Sequence, residues 1–306
     1  MYSSTNTISK QDVLQFMSKL QQRGSFGEES YATIDQMVSQ LAQLKSNGSI
    51  SDEDLAEIRH FFGPDFLENT LHGMALMKKY GYAGDFLMID KIYTGNQTSH
   101  PFFNSWDQYF QNHAAPKAVR NRKSYFKQLV HRKLQDKQEL RLLNVASGPG
   151  RDLLELYKEK DITNHLQTVC VEMDSHAIRY AEALTADYAD HIRFINKNIF
   201  KFDTEEKFDI IWSAGLFDYF DNKAFVYVMS KFKNWLAPKG EIVIGNFNQQ
   251  HNPTRAYMEL FGDWHLHHRT REELIALAIE AGFDVQKLSV GHEEEQVNLF
   301  LHIKMD

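Results

Sequence analysis

Cysteine is almost absent from this chain: among 306 residues there is one, Cys170. A lone thiol cannot close an intrachain disulfide, and its use fits a reducing compartment such as the cytosol. No apolar run is long enough to cross a bilayer, and the opening MYSSTNTISKQD carries neither a basic nor an apolar leader. A cytoplasmic protein without a membrane span is therefore expected. Positive charge is also short, with 34 Lys and Arg against 41 Asp and Glu and a net charge of -7. This disfavours a general nucleic-acid binder, so no nucleic-acid partner is expected. Internal repeats and low-complexity segments are missing. What the chain does have is apolar bulk, 42% hydrophobic residues, enough for a large core in one domain or two.

The first ten residues are polar and expected to fray. From Asp12 the pattern is helical. Val13, Phe16, Met17 and Leu20 form one stripe, and Tyr31, Ile34, Met37, Val38, Leu41 and Leu44 another. Ser51 with Asp54 reads as a capping box before Leu55, Ile58, Phe61 and Phe62, and Gly63-Pro64 separates that helix from one carrying Leu67, Leu71, Met74 and Met77. These Met and Phe stripes read as core. Between 81 and 116 the regularity fades into a Tyr-, Phe-, Gly- and Asn-rich stretch, expected to be a long loop that lines a ligand cavity or packs two parts of the molecule together. Residues 117–133 form a basic helix, whose Arg120 or Arg122 is a candidate to face inward and grip a carboxylate of substrate or cofactor. The polar QDKQE segment that follows marks a domain boundary, giving a helical domain at 1–135 and a second domain at 136–306.

The second domain is organised around residues 142–152, LLNVASGPGRD. A short apolar strand runs into a small-residue turn, and Leu153, Leu154, Leu156 and Tyr157 then recur at helical spacing. Glycine at such a turn lets a ligand approach the backbone, and the helix that follows presents free N–H groups. The turn lacks the full G-x-G-x-x-G spacing and the G-K-[ST] of a phosphate loop. A second apolar strand, TVCVEM, ends in acid at Glu172 and Asp174, at the interval where such folds place a carboxylate on ribose hydroxyls. Further strands are expected at 191–200, 207–213 and 241–247. The last of these is introduced by a Pro238-Lys239-Gly240 turn. Thr270 to Glu273 reads as a capping box for a helix closed by Gly282, and 283–290 with 297–304 reads as a closing hairpin. Five βα repeats and a hairpin imply an α/β doubly wound sheet with ligands at its carboxyl edge.

Here the chain resembles the class I S-adenosylmethionine (SAM)-dependent methyltransferases. The resemblance covers residues 142–305. It rests on VASGPGRD, on VEMD after the second strand, on Asn198-Ile199, on FDIIWSAGLFDYF and on LAPKGEIVIGNF. Asn144 and Pro149 depart from the pattern, standing where many members carry an acid and a cysteine. The stretches SGPGRD, SAGLFDYF and GNFNQQHNPTRAYMELFGDWHLHHRT resemble more narrowly a subfamily with a helical N-terminal extension, which includes enzymes making 3-hydroxy fatty-acid methyl esters. The resemblance implies a Rossmann-like, seven-stranded sheet and a helical N-terminal domain that serves as a cap, substrate or dimerisation domain. It further implies that Ala146, Ser147, Gly148, Pro149 and Gly150 pass beneath the methionine part of SAM. Glu172 would hold the ribose, with Met173 and Asp174 beside it. Asn198 and Ile199 would flank the adenine, and Ser213, Ala214 and Gly215 would lie beside the sulfonium.

Methyl transfer is an in-line displacement in which positioning supplies much of the rate. A carboxylate acceptor needs no base, whereas a phenol, alcohol or amine usually gives up a proton. Asp218, Tyr219, His251, His265, His267 and His268 are the acid–base candidates near the sheet edge, with Tyr219 and His251 preferred. The His265, His267, His268 row has no nearby cysteine, and no metal is expected. Asn246, Arg255, Tyr257 and Arg269, in a long link after the fifth strand, are candidates for acceptor binding. The expected function is methylation of a small molecule. An oxygen of a fatty-acyl or aromatic metabolite is the first choice, nitrogen the second, and a homodimer is the partner expectation. A catalytically silent SAM-binding scaffold or regulatory protein and an RNA or protein methyltransferase are the alternatives.

Overall fold

The computed structural model of the protein describes residues 8–305, so the first seven of the residues expected to fray lie outside it. The chain forms two compact units. The first comprises 1–116 together with 253–265, and the second 117–252 with 266–306.

The first unit is helical: α1 (Lys10–Arg23), α2 (Tyr31–Ser46), α3 (Asp52–Arg59), α4 (Gly63–Asn69), α5 (Leu71–Met77), α6 (Phe86–Thr94) and α7 (Pro101–Asn112), joined later in the chain by α12 (Arg255–Phe261). The expected stripes are its core, with Val13, Met17, Ile34, Leu41 and Ile58 fully buried. Ser51 and Asp54 form their capping box at the start of α3. The stretch 81–116 departs from the expected loop and holds α6 and α7. Asp85 caps α6 by accepting from Leu87 and Met88 N–H, Gly95 ends it at φ 65°, and His100 caps α7. Ring–ring packing explains why the period was hard to read. Phe102 and Trp106 lie 5.2 and 5.3 Å from the Phe62 ring, so aromatics occupy the faces that aliphatic residues usually mark.

The second unit begins at 117, inside the first turn of α8 (Ala114–Asp136), whereas the boundary expected at 135 falls in the last turn of that helix. The physical reason is apolar. Phe126, Leu129 and Val130 of α8 pack on Leu140, Leu142, Trp212 and Phe300 of the sheet. The strands are β1 (Leu140–Val145), β2 (Leu166–Glu172), β3 (Ile192–Asn196), β4 (Phe208–Ala214), β5 (Leu236–Phe247), β6 (Leu288–His292) and β7 (Asn298–Lys304), in spatial order β3-β2-β1-β4-β5-β7-β6. The first five run parallel and β7 runs antiparallel between β5 and β6. The Pro238-Lys239-Gly240 turn lies inside β5 as an irregularity in its pairing with β4, with Lys239 at φ 60°.

Both faces of the sheet are covered, which is why its strands read as continuous apolar runs. On one face α11 (Asn222–Trp235) and α13 (Arg271–Glu280) pack on Leu143, Val145, Ile211 and Ile244. On the other, α8 and α9 (Arg151–Tyr157) pack on Leu142, Ile210 and Val243. The order reverses between β1 and β4, so the crevice at their carboxyl ends is the switch point where ligands bind in such sheets.

Candidate functional site

The chain leaves β1 at that crevice and turns sharply. Ala146 N–H still pairs with Val171 C=O at 2.8 Å, yet Ala146 itself adopts φ 56°, Gly148 φ 54° and Gly150 φ 68°. Three left-handed residues in five curl the backbone into a loop that ends at the first residue of α9. A side chain on Gly150 would press on Ala181 of α10 (Ser175–Leu184) at 3.1 Å, whereas a Cβ on Gly148 would meet open space. Gly150 therefore serves helix packing, and Gly148 keeps the mouth of the turn open.

Glu172, the last residue of β2, closes the turn from the side. One carboxylate oxygen accepts from Gly148 N–H at 3.1 Å, and the other from Met173 and Asp174 N–H at 2.8 and 3.0 Å. Burial pushes its carboxyl above the ordinary range, and the three amides oppose that shift. Met173 beside it is 66% exposed, a large apolar side chain left in the open next to a buried acid. Asp174 is occupied differently. It caps α10 through His176 N–H at 2.8 Å.

The turn after β3 is tied to this acid. Lys197 N–H donates to Glu172 C=O at 2.9 Å, Asn196 reaches the carbonyls of Glu172 and Met173, and the Asn198 amide lies 3.8 Å from the Met173 sulfur. Asn198 also accepts from Phe200 N–H at 2.9 Å, while the Ile199 side chain is buried in the core.

On the other side of the crevice, Ser213 is fully buried and donates to Val145 C=O at 3.0 Å, lacing β4 to β1. Gly215 follows at φ 101°, and any Cβ there would lie 3.0 Å from an Nη of Arg122. Arg122 is only 4% exposed, so α8 delivers a buried guanidinium to the exit of β4. Two buried acids share its field. Burial raises Asp152 to about 6, against its bond from Leu153 N–H and the Arg122 charge. Burial raises Asp218 to about 6 as well, against a bond from Phe247 N–H and the charges of Arg122 and Arg269. Arg120 is half-buried, and its guanidinium is pushed down by burial and up by Glu295.

The remaining candidates divide. Asn246 and Arg269 are buried and bond each other at 2.8 Å. Arg269 also donates to the carbonyls of Phe217 and Phe220 and stacks on Phe225, so it braces the turn after β4 and offers no grip for an anion. Tyr219 lies in that turn, 39% exposed, and His251 is exposed in the link after β5. Arg255 and Tyr257 belong to the first unit. There Arg255 pairs with Glu259 at 2.7 Å on the outside of α12, and Tyr257 is buried against His72 at 2.7 Å. His265 pairs with Asp263, His267 N–H donates to Asp218 C=O, and His268 meets Asn252 at 3.1 Å. Among the described residues no group of three or more His, Cys, Asp or Glu is placed to hold a metal ion. Cys170 is buried, and burial pushes its thiol up, so it is chemically quiet. Asp152 was not singled out in the sequence because an acid in the first turn of a helix is ordinary there.

Residues 136–295 match the family profile of the methyltransferase domain. No curated protein matches the chain. Among solved structures, a protein from Bordetella parapertussis described as a possible exported protein superposes with a TM-score of 0.67. It shares 18% identity over 100% of this chain and 99% of its own. A protein from Nostoc punctiforme described as a possible O-methyltransferase gives a TM-score of 0.52 at 15% identity over 79% and 72% of the two chains. Magnesium protoporphyrin IX methyltransferase from Synechocystis, solved with SAM bound, gives 0.50 at 8% over 72% and 91%. These likenesses speak to the fold.

Proposed function

The chain belongs to the methyltransferase domain family, and from that premise we propose that it methylates an oxygen of a small fatty-acyl or aromatic metabolite. It is a SAM-dependent methyltransferase, and the observation that carries the cofactor assignment onto particular residues is the Glu172 cradle. A buried carboxylate is held by three backbone N–H groups beside an open left-handed glycine turn. A second observation fits the same ligand. The Asn144 amide nitrogen, near the end of β1, is buried without a hydrogen-bond partner among the described residues. Such a donor costs about 1–3 kcal/mol until something accepts from it.

In this reading Glu172 accepts from the ribose hydroxyls, and Met173 packs on the adenine between Asn198 and Ile199. Residues 146–150 pass under the methionine end, and 213–215 line the path of the methyl group. When bound, SAM supplies an electrophilic methyl carbon. The protein's part is to hold an acceptor in line with it and to exclude water. Arg122 stands at the β4 exit, and its fork suits a carboxylate. A carboxylate acceptor needs no base, which agrees with Asp152 and Asp218 each spending an oxygen on a backbone amide. Tyr219 and His251 would serve a hydroxyl or amine acceptor instead.

The test is transfer of labelled methyl from SAM to hydroxy fatty acids and aromatic acids, in wild type and Arg122→Met. Loss of a charge-assisted contact predicts an acceptor KM raised by about tenfold or more, with the affinity for S-adenosylhomocysteine (SAH) unchanged. Transfer to amines only would replace oxygen with nitrogen as the acceptor atom.

A further inference from the structure

The turn after β3 converges on one side chain from another element. Lys231, in the third turn of α11, donates from Nζ to the carbonyls of Ile199 at 3.4 Å, Phe200 at 3.1 Å and Phe202 at 2.5 Å. Carbonyl dipoles gathered at one point repel one another, and a cation is what such a cluster needs. An ammonium has three donors and no acceptor, so it can use all of them at once. The position of the head is set by its stem. Nζ lies 5.7 Å from the Tyr227 ring and 5.4 Å from the Trp235 ring, one helical turn before and after it. Trp235 in turn donates to Asp203 at 3.0 Å, at the far end of the same turn. Burial pushes the Lys231 ammonium down, while the Asp203 charge pushes it up.

The turn is thus anchored at two ends. Its entry is tied to β2 through Lys197 N–H and Glu172 C=O, and its exit to α11 through Lys231 and Trp235. Between the anchors stand Asn198 and Ile199. We propose that Lys231 is a positioning residue for adenine, its ammonium drawing the turn 198–202 into the shape that presents Asn198 and Ile199 to the base. The inference rests on the cofactor reading given above. It assigns a role in ligand binding to a side chain on the outer part of a helix that no sequence motif marks.

The experiment is calorimetric binding of SAH and of adenosine to wild type, Lys231→Met, Lys231→Arg and Asn198→Ala, with turnover and hydrogen exchange in parallel. Removing a charged donor from the turn predicts a loss of about tenfold in affinity for both ligands in Lys231→Met. In that variant kcat at saturating SAM is unchanged, exchange is faster across 197–203 alone, and Lys231→Arg recovers most of the affinity. Should Lys231→Met fail to fold, Lys231→Gln takes its place in the same comparison. Wild-type affinity in Lys231→Met beside lost affinity in Asn198→Ala overturns the inference and leaves the cofactor reading standing. Wild-type affinity in both variants removes the adenine from this turn and the inference with it. Faster exchange throughout the second unit, with kcat and affinity falling together, marks a structural role and also overturns it.

Discussion

Ala146 holds a left-handed φ of 56° without being glycine. A Cβ in that region costs about 1 kcal/mol, and strain of this kind collects at ligand sites. Ala146→Gly should therefore raise unfolding free energy by about 0.5–1 kcal/mol in urea and leave SAH affinity unchanged. Asp218 stores a different cost. Its folded carboxyl sits near 6 against an ordinary 3.8, so its neutral form is the one that folding favours. The stability it contributes is complete below the ordinary value and is lost as pH rises through about 6. Asp218→Asn can keep the bond from Phe247 N–H and carries no charge. Its stability should fall less than that of wild type between pH 4 and 7, with a gain of about 1 kcal/mol at neutral pH in urea titrations. At this scale the sequence showed residue types and not directions. Arg122 and Arg269 both read as candidates for acceptor binding. One arrives buried at the exit of β4, and the other spends its donors on the carbonyls of Phe217 and Phe220. Nothing local distinguishes them, because the aim of a side chain depends on where its element lands.

Among the elements, the turn after β4 depends on Arg269, the residue just before the N-cap of α13. Arg269 bonds Asn246 and two carbonyls of that turn while almost wholly out of water. Arg269→Met leaves those carbonyls and Asp218 without their donor or countercharge. It should cost about 3 kcal/mol in stability and disturb Tyr219, read by thermal melting and by tyrosine fluorescence. By contrast Thr270→Ala, next in sequence, removes only a helix cap and should cost about 1 kcal/mol. Elements with their own punctuation were legible in the sequence: the capping boxes at Ser51 and Thr270, the β1 turn, and the strands that alternate with helices. The helices α6 and α7 were not. The nine residues of α6 are too few to repeat a stripe, and the buried face of α7 is mostly aromatic, with Phe102, Trp106, Tyr109 and Phe110.

At the scale of the molecule, the first unit is built from two separate stretches of chain. The apolar face of α12, with Tyr257, Met258 and Phe261, is buried within that unit although it follows β5 in sequence. The link after β5 was visible as too long, but its destination was not, since contacts made so far away in sequence leave no periodic mark on the segment itself. A chain cut to 117–306 should expose that face and aggregate, whereas the same chain with 253–265 replaced by a short polar linker should elute as one species in size exclusion. The central claim, that the Glu172 cradle is where SAM binds, is tested most directly by titrating SAH into wild type, Glu172→Ala and Gly148→Arg, with the fold of each checked by circular dichroism. The account predicts binding to wild type, a loss of about tenfold to a hundredfold in Glu172→Ala and no binding to Gly148→Arg. Equal affinity in all three folded proteins would contradict it.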